Sequence, residues 1–437
     1  MTHHSTRGMQ TFTFIWSGQV VSLIGSGLTH FGLGIWVYQN TKSVTLYALI
    51  LLCGTLPSSL ISPVAGVFVD RCSRRWVMIL SDFGAGLSTL AIASLLFVGK
   101  LEVWHICLAS AASSSFSAFQ VPAFTAATTL LVPKKYLDRA SGMIQLGQGI
   151  SQLISPVLGG VLIGIIQLQG IVAIDVVTFF LGTIPLLFVK FPEPKTINAS
   201  DTEALKKDSL LQEIIFGWQY ITARPGLLGL LMLFATNNFL MGSVGVLVTP
   251  LVLSFTSSAV LGMILSVSGV GMLIGSLIIS TRGGPKRLIY SVLGFQMLGG
   301  LSILIAGLRT SVELITLAAF LTFLGWPIIN ACAQVLFQKK VALDMQGRFF
   351  AIRQMVTDTS FPLSYIVAGP LADKVFEPLM SSNGLLAGSI GQIIGVGPGR
   401  GIGLMFITIG VLAIVLSIAA YQYPRLRLVE HELPDTI

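Results

Sequence analysis

Gly66-Val67-Phe68-Val69-Asp70-Arg71-Cys72-Ser73-Arg74-Arg75 is a short charged stretch between two long apolar segments. One acidic and three basic side chains fall within six consecutive positions, more charge than any other stretch of this length in the first hundred residues. Charge of this density is not expected in lipid, because one charged side chain at the bilayer centre costs about 2.5 to 3.5 kcal/mol on the insertion scale. The stretch is therefore predicted to be a loop at a membrane surface, joining two membrane-spanning helices.

The composition extends this prediction to the whole chain of 437 residues. Apolar residues make up 53% and charged residues 10%, and the mean hydropathy is +0.85. A helix needs about 20 mostly apolar residues to cross the hydrocarbon core. The twelve runs that meet this requirement are 11–38, 45–69, 77–98, 102–131, 140–167, 170–189, 226–253, 258–281, 288–308, 312–336, 350–373 and 401–423.

The positions of the basic residues predict the orientation of these spans. If the N-terminus is cytoplasmic, twenty Lys and Arg residues lie in inner loops and tails, five lie in outer loops, and Arg353 is left inside a span. This asymmetry satisfies the positive-inside rule. We therefore expect a multi-pass protein of the plasma (inner) membrane with both termini in the cytoplasm. We interpret the net charge of +8 as the result of basic residues that set the orientation of the spans and contact membrane lipids. No nucleic-acid partner is expected.

No motif of catalysis or of cofactor binding stands out. The chain has no His-Glu-x-x-His, no nucleotide loop of the Gly-x-x-x-x-Gly-Lys type, and no Gly-x-Ser-x-Gly that serves a nearby acid and base. The four cysteines lack the spacing of a metal site and are interpreted as small buried apolar residues. An enzyme, a cofactor and a metal site are therefore not expected.

Polar residues inside the spans predict a water-filled cavity. In the first span, Gln19, Ser26 and His30 return to one side of the helix, because offsets of seven and eleven residues complete whole turns. The alternative for His30 is a simple hydrogen bond to a neighbouring helix. Small residues on another face of this helix, among them Gly18 and Gly25, should let a neighbouring backbone approach closely. The predicted cavity residues are Gln19, His30, Gln148, Asn238, Asn330 and Gln334.

Three ionisable side chains inside predicted spans are candidates for proton coupling: Asp175, Arg353 and Asp358. Such groups are costly in lipid and usually face a cavity or a partner. Removal from water also brings a carboxylate toward protonation under ordinary conditions. The alternative is a static role, in which each group only forms hydrogen bonds or ion pairs between helices.

A polar interval from residue 191 to residue 217 divides the spans six and six. Within it, Asp208 offers a helix cap, and the apolar residues from Leu210 to Trp218 follow with helical periodicity. We expect an amphipathic helix that lies along the inner membrane surface. The chain is thus divided into an N-terminal bundle (1–190), a cytoplasmic linker (191–224) and a C-terminal bundle (225–437).

The charged stretch resembles the signature loop between helices two and three of the major facilitator superfamily of secondary transporters. Gly66, Asp70, Arg71, Arg74 and Arg75 match that loop in type and position, and the resemblance covers essentially the whole chain. It implies an all-α membrane protein with twelve transmembrane helices in two six-helix bundles with pseudo-twofold symmetry, which rock about a central cavity. It also implies that Gly66 allows close helix approach and that the basic cluster faces the cytoplasm.

The fifth span looks like the antiporter motif of drug exporters, in which glycines and a proline bend helix five against helix eight. The matching positions are Gly142, Pro156, Gly159 and Gly160. Two further glycine positions of that motif are Ser151 and Ser155 in this chain.

Three stretches are similar to a drug-efflux branch that includes macrolide and siderophore exporters: 16–19, 346–353 and 369–378. The resemblance implies a monomer that exports an amphipathic small molecule, a drug or a secreted natural product, by alternating access, without a cofactor. Proton antiport is the expected energy source, although the Arg that many such exporters carry in helix four is missing from the fourth span. The alternative function is a lysophospholipid or other lipid flippase on the same fold.

The resemblance also suggests a role for Asp70 as a conformational latch. An anion beside a helix N-terminus is favourable by roughly 0.3 to 1 kcal/mol, and the eleventh span begins near Gly347 on the same face. The hypothesis is that Asp70, steadied by Arg71 or Arg74, docks there and holds the outward-open state. The alternative is that the loop only anchors the topology. The corresponding stretch of the second half, 282–287, is basic but contains no Asp.

Overall fold

The computed structural model describes residues 2–189, 207–285, 287–342, 345–427 and 429–432. The side chains of residues 2–7, 63, 67, 70, 71, 207–214, 358, 431 and 432 are not part of that description. The described residues form helices joined by turns, with a 3-10 turn at Lys134–Tyr136, a π-helical segment at Ala372–Phe376 and no β-strand. The described chain is therefore all-α.

Twelve long helices make up most of the described chain. They are α1 (Thr2–Thr41), α2 (Val44–Arg71), α3 (Arg74–Phe97), α4 (Val103–Leu131), α5 (Leu137–Ile165), α6 (Gln167–Phe188), α8 (Pro225–Leu253), α9 (Ser258–Arg282), α10 (Leu288–Leu308), α11 (Val312–Lys340), α12 (Gln346–Leu371) and α15 (Arg400–Gln422). The shorter helices are α7 (Lys207–Thr222), α13 (Glu377–Leu379), α14 (Ile390–Ile394), α16 (Pro424–Arg427) and α17 (Val429–Glu432).

These twelve helices correspond one for one to the twelve predicted spans. Ten of the described helices are long and apolar enough to cross a membrane. The other two long helices, α4 and α12, are more polar, because α4 is rich in Ser and Thr and α12 carries Arg353 and Asp358. The prediction of an all-α, multi-pass membrane protein with twelve transmembrane helices is confirmed.

The chain separates into two compact units that repeat one packing plan. The first unit is Met1–Lys195 with Thr256–Ser266, and the second is Thr196–Phe255 with Val267–Ile437. In the first, α1 packs on α5 and α6, and α3 packs on α4 and α6. In the second, α8 packs on α12 and α15, and α10 packs on α11 and α15. The first helix of each six thus packs on the fifth and sixth, and the third on the fourth and sixth. The linker boundaries at 191–224 stay a prediction.

Glycines bring the packed backbones together in both units. A Cβ on Gly18 of α1 would lie 2.8 Å from the carbonyl oxygen of Leu181 in α6, and one on Gly25 would collide with the next turn of α6. Between α10 and α15, Gly307 and Gly403 face each other's backbone in the same way. Since the helices lie in lipid, this close approach replaces the hydrophobic effect as the source of association. The small-residue face predicted on the first span is confirmed.

The helix predicted in the polar interval is present as α7. Its Ile215, Phe216 and Trp218 side chains are exposed, whereas Gly217 is buried. A Cβ on Gly217 would lie 2.7 Å from Cδ1 of Ile352 in α12. The helix therefore packs on α12 through its glycine, and the exposed ring of Phe216 lies 5.4 Å from the guanidinium carbon of Arg348 in α12. Its position on the inner membrane surface stays a prediction.

Candidate functional site

The charged stretch forms the end of α2 and the beginning of α3. The side chains of Asp70 and Arg71 lie outside the described residues, so the latch at Asp70 stays a prediction. A Cβ on Gly66 would meet no described heavy atom within 4 Å. The close helix approach that the resemblance implies at Gly66 therefore stays a prediction.

Arg75 binds the end of α6. Its Nε donates to the carbonyl oxygen of Leu186 at 3.1 Å, and its Nη2 donates to that of Leu187 at 2.6 Å. The last carbonyls of a helix have no partner within the helix and favour a cation. Arg74 is half-buried, and its Nε has no hydrogen-bond partner among the described residues. Arg75 thus joins the beginning of α3 to the end of α6 within the first unit.

The antiporter-like motif of α5 contacts the beginning of α9, within the first unit. A Cβ on Gly160 would lie 2.5 Å from the carbonyl oxygen of Ser258 and 3.2 Å from Cα of Gly262. The hydroxyl of Ser258 donates to the carbonyl oxygen of Gly160 at 3.2 Å. A Cβ on Gly262 would in turn collide with the carbonyl of Pro156. The two backbones are therefore in direct contact at this point, and the role of the motif in antiport stays a prediction.

The other face of α5 packs on α1 through the two serines that replace motif glycines. The hydroxyl of Ser151 donates to the carbonyl oxygen of Leu23 at 3.0 Å, and that of Ser155 to the carbonyl of Ile24 at 3.2 Å. Gly159 also faces α1, since a Cβ there would lie 2.6 Å from Cδ1 of the Phe31 ring. These serines therefore bind α5 to α1 through side-chain hydrogen bonds, where glycines would allow only close approach of the two backbones.

Gly142 does not share this packing. A Cβ at this position would meet no described heavy atom within 4 Å, and the residue is exposed near the beginning of α5. It matches the motif in sequence, but the contacts of the motif begin two turns later along the helix.

The three predicted cavity residues of the first unit have different surroundings in the structure. His30 is exposed and lies beside Gly54 of α2, with its Cε1 3.4 Å from where a Cβ on Gly54 would be. Gln148 is exposed on α5. Gln19 and Ser26 instead donate to buried carboxylates inside the unit. The seven-residue spacing of Gln19 and Ser26 places both half-buried side chains where α1 meets α3 and α6, and the lining of a cavity by this stripe stays a prediction.

Asp82 of α3 is the acid bound by Gln19, and it was not among the predicted site residues. Nε2 of Gln19 donates to its Oδ2 at 3.0 Å, and Nε2 of Gln120 in α4 donates to its Oδ1. Nε2 of Gln120 also lies 2.9 Å from Oε1 of Gln19. Only 8% of the Asp82 surface is exposed. The rule that selected Asp175, an acid inside an apolar run, could have selected Asp82 as well.

Asp175 of α6 is held by hydroxyl groups. Oγ of Ser26 in α1 donates to its Oδ1 at 3.2 Å, and Oγ1 of Thr89 in α3 donates to its Oδ2 at 3.3 Å. Only 2% of Asp175 is exposed. A hydroxyl can donate to a carboxylate or accept from a carboxylic acid, so the same partners suit either protonation state. The geometry is compatible with both the static role and the proton-coupling role.

In the second unit, Arg353 lies among aromatic rings and a carboxamide. Its guanidinium carbon is 4.9 Å from the ring centre of Phe337, 5.9 Å from that of Phe234 and 6.0 Å from that of Phe350. Its Nη1 donates to Oε1 of Gln334 in α11. A cation over ring faces is attracted by their quadrupole. The structure thus joins two predicted residues, Arg353 and Gln334, into one polar and aromatic cluster.

The remaining predicted residues of the second unit are spread along α8, α11 and α12. Asn238 is buried in α8 with 5% exposure. Asn330 donates from Nδ2 to the carbonyl oxygen of Trp326 one turn earlier in its own helix, at 2.9 Å. The side chain of Asp358 lies outside the described residues, so its role in proton coupling stays a prediction.

Two cavities in the described chain lie away from all six predicted cavity residues. One, of about 420 Å³, lies between α3 and α4 and is lined mostly by apolar residues, together with Ser88 and His105. The other, of about 600 Å³, is lined by Lys339, Lys340 and Glu430 at the ends of α11 and α17. Each lies within one unit.

Comparison with known proteins gives a consistent result. A family model described as the Major Facilitator Superfamily matches residues 15–365. Macrolide efflux protein A of Streptococcus pyogenes is 27% identical over 368 residues, which are 83% of this chain and 90% of that protein. Multidrug efflux pump Tap of Mycolicibacterium fortuitum is 25% identical over 361 residues, which are 80% of this chain and 86% of that pump.

Solved structures are similar in fold. An inward-facing bacterial homolog of the human lysosomal transporter Spinster has a TM-score of 0.68 at 14% identity and covers 98% of both chains. The POT family transporter PepTSo has a TM-score of 0.69 at 9% identity, with 97% of this chain and 99% of that chain covered. At these identities the likeness concerns the fold alone.

Proposed function

The chain belongs to the Major Facilitator Superfamily, and we propose that it exports amphipathic small molecules, a drug or a secreted natural product, by alternating access. The observation that carries the proposal is the similarity to proteins named for macrolide and multidrug efflux, which extends over at least 80% of the chain. Secondary transporters of this kind move by rocking one bundle against the other around a site near the bilayer midplane.

The cluster around Arg353 supports an amphipathic cargo. A guanidinium and the carboxamide of Gln334 lie among three phenylalanine rings, so this region combines the charged, polar and apolar groups that a site for an amphipathic molecule needs. Asn238 and Asn330 add carboxamides on α8 and α11. We propose these four residues as the region of the second unit that recognises cargo, and Gln19, His30 and Gln148 as the corresponding residues of the first unit.

Proton antiport is the proposed energy source. Asp175, Asp358 and Arg353 are the ionisable candidates within the helices, and the hydroxyl partners of Asp175 can bind its charged or its neutral form. The proposed latch at Asp70 would bias the two states of the cycle, since a few kcal/mol of differential affinity moves such an equilibrium. The basic loops support cytoplasmic termini in the plasma membrane. We propose a monomer in contact with membrane lipids.

The test is uptake of a radiolabelled macrolide into inverted membrane vesicles from a susceptible host that lacks its own exporters. We expect accumulation when the vesicle lumen is acidified, and weaker dependence on pH in Asp358→Asn. The matched control is Asp138→Asn, which neutralises an exposed carboxylate at the beginning of α5. An Asp358→Asn protein that is folded and shows an unchanged pH profile would contradict the role of Asp358.

The flippase alternative is separated in the same vesicles. A fluorescent lysophospholipid replaces the macrolide, and its movement between leaflets is followed by reduction of the exposed fluorophore. Movement of the lysolipid without uptake of the macrolide, and without any change in macrolide susceptibility of the host, would replace export by lipid transport.

A further inference from the structure

Two buried carboxylates of the first unit, Asp82 and Asp175, have partners that recur at intervals of seven positions along the helices. Three helices contribute residue pairs separated by seven positions: Gln19 and Ser26 in α1, Asp82 and Thr89 in α3, and Gly182 and Asp175 in α6. Seven residues are two turns, or about 10 Å along a helix axis. Where α1, α3 and α6 meet, their polar groups therefore form two layers. The first layer contains Asp82 and is completed by Gln120 of α4; the second layer contains Asp175.

Every described hydrogen bond to the Asp82 carboxylate comes from an uncharged carboxamide. Gln19 and Gln120 each donate to one of its oxygens, and Nε2 of Gln19 also lies 3.3 Å from the carbonyl oxygen of Gly182. A buried charge without an opposite charge beside it is costly. Binding a proton removes that cost, so the site favours exchange of a proton over a permanently charged state.

None of the other titratable side chains described on the surrounding helices makes a described hydrogen bond to Asp82. His30 of α1 lies beside Gly54 of α2, and His105 of α4 accepts from the backbone N–H of Glu102 at 3.1 Å. At the beginning of α3, Arg75 binds the α6 carbonyls, and Arg74 makes no described hydrogen bond to Asp82. On α6, Asp175 belongs to the second layer. Among the described residues, none of these groups neutralises Asp82.

We propose that Asp82 is a proton-binding residue and that Asp82 and Asp175 are two proton stations in the interior of the first unit. A proton from water adds to one carboxylate oxygen, and the resulting O–H donates to the carbonyl oxygen of a Gln19 or Gln120 carboxamide after that group rotates. Loss of the proton restores the present bonds. A carboxamide carries both a donor and an acceptor, so both states of Asp82 are satisfied.

The two stations lie on either side of the middle of the helices, each closer to a different end. Asp82 is eight residues from the beginning of α3, about 12 Å from the end that carries the basic loop. Asp175 is eight residues from the beginning of α6, again about 12 Å but from the opposite end, since α3 and α6 begin on opposite sides. Ser22, which lies between Gln19 and Ser26 on α1, faces Gly182 of the first layer across the α1–α6 contact. This arrangement uses no basic residue, which fits a chain without Arg in α4.

The first test does not depend on any substrate. Infrared difference spectra of the purified full-length protein are recorded against pH for the wild type, Asp82→Asn and the exposed control Asp138→Asn. We expect the carbonyl stretching band of a buried carboxylic acid to titrate in the wild type and in the control, and to lose one component in Asp82→Asn. Asp82→Glu, which keeps a carboxyl group, should retain a titrating band. Identical titrations of wild type and folded Asp82→Asn would overturn the proposal.

The second test rests on the proposed export function. In proteoliposomes, Asp82→Asn should retain counterflow of a radiolabelled macrolide, which needs no proton gradient. Its uptake driven by a pH gradient should fall by about tenfold or more, the size of a typical coupling between two sites. Undiminished gradient-driven uptake in this variant would overturn the inference. Absence of macrolide counterflow in the wild type would contradict the export of macrolides, and the infrared titration would still decide the role of Asp82.

Discussion

The substitution Gly160→Ala, which adds a single methyl group, tests the contact between α5 and the beginning of α9. A Cβ there would lie 2.5 Å from the carbonyl oxygen of Ser258, whereas carbon and oxygen atoms in close contact between helices are about 3.3 to 3.6 Å apart. The two backbones would therefore have to separate by about 1 Å. Overpacking of this kind costs about 1 to 3 kcal/mol, so Gly160→Ala should destabilise the protein by that amount.

Gly164→Ala is the matched control on the same helix, one turn further along. A Cβ on Gly164 meets no described heavy atom within 4 Å, and replacing a helical Gly by Ala there should stabilise by roughly 0.5 to 1 kcal/mol. The two variants should therefore differ by about 1.5 to 4 kcal/mol in the free energy of unfolding. The measurement is reversible unfolding of purified protein in mixed micelles with a denaturing detergent.

Vesicle uptake of the labelled macrolide is measured on the same two proteins. We expect Gly160→Ala to lose transport and Gly164→Ala to keep it, because only the first forces α5 away from Ser258. Equal unfolding free energies and equal transport rates in the two variants would refute the argument from this backbone contact.

Two further predictions concern stability. Arg75→Met should lower the free energy of unfolding by about 1 kcal/mol, because two carbonyls at the end of α6 lose their donor. The partial exposure of Arg75 keeps this value small. Equal denaturation curves for the variant and the wild type would show that water replaces the guanidinium as donor. Ser311→Ala should cost about 1 kcal/mol, since Oγ of Ser311 accepts from the backbone N–H of Leu314 at 3.3 Å and caps α11. Ser276→Ala, on an exposed serine inside α9, is its control and should be nearly neutral.

The helices and their number could be predicted because one physical requirement acts on each segment separately. A backbone in lipid must satisfy its hydrogen bonds within the segment, so each apolar run of sufficient length has to be a helix. The face of small residues on α1 was predictable for the same reason, because the period of a helix is known before its neighbour is. Gly18 and Gly25 accordingly contact α6.

The partners of polar residues could not be predicted in this way. The first-span stripe was assigned to a cavity, yet Gln19 binds an acid 63 positions away and Ser26 one 149 positions away. Sequence spacing shows which side chains share a helix face, but it does not show which other helix that face meets. Gly66 and Gly142 illustrate the same limit, since both fit a motif and neither has a described atom within 4 Å of its Cβ position.

The sequence by itself therefore determined the class of the protein, its twelve helices and its relation to transporters, because these follow from hydropathy, length and local motifs. Only the tertiary structure decided that Asp82 joins Gln19 and Gln120, that Arg353 lies among phenylalanine rings, and that Arg75 holds α6. The physical reason is that a buried polar group is defined by the groups that replace its water, and in a helical bundle those groups come from distant segments that only packing brings together.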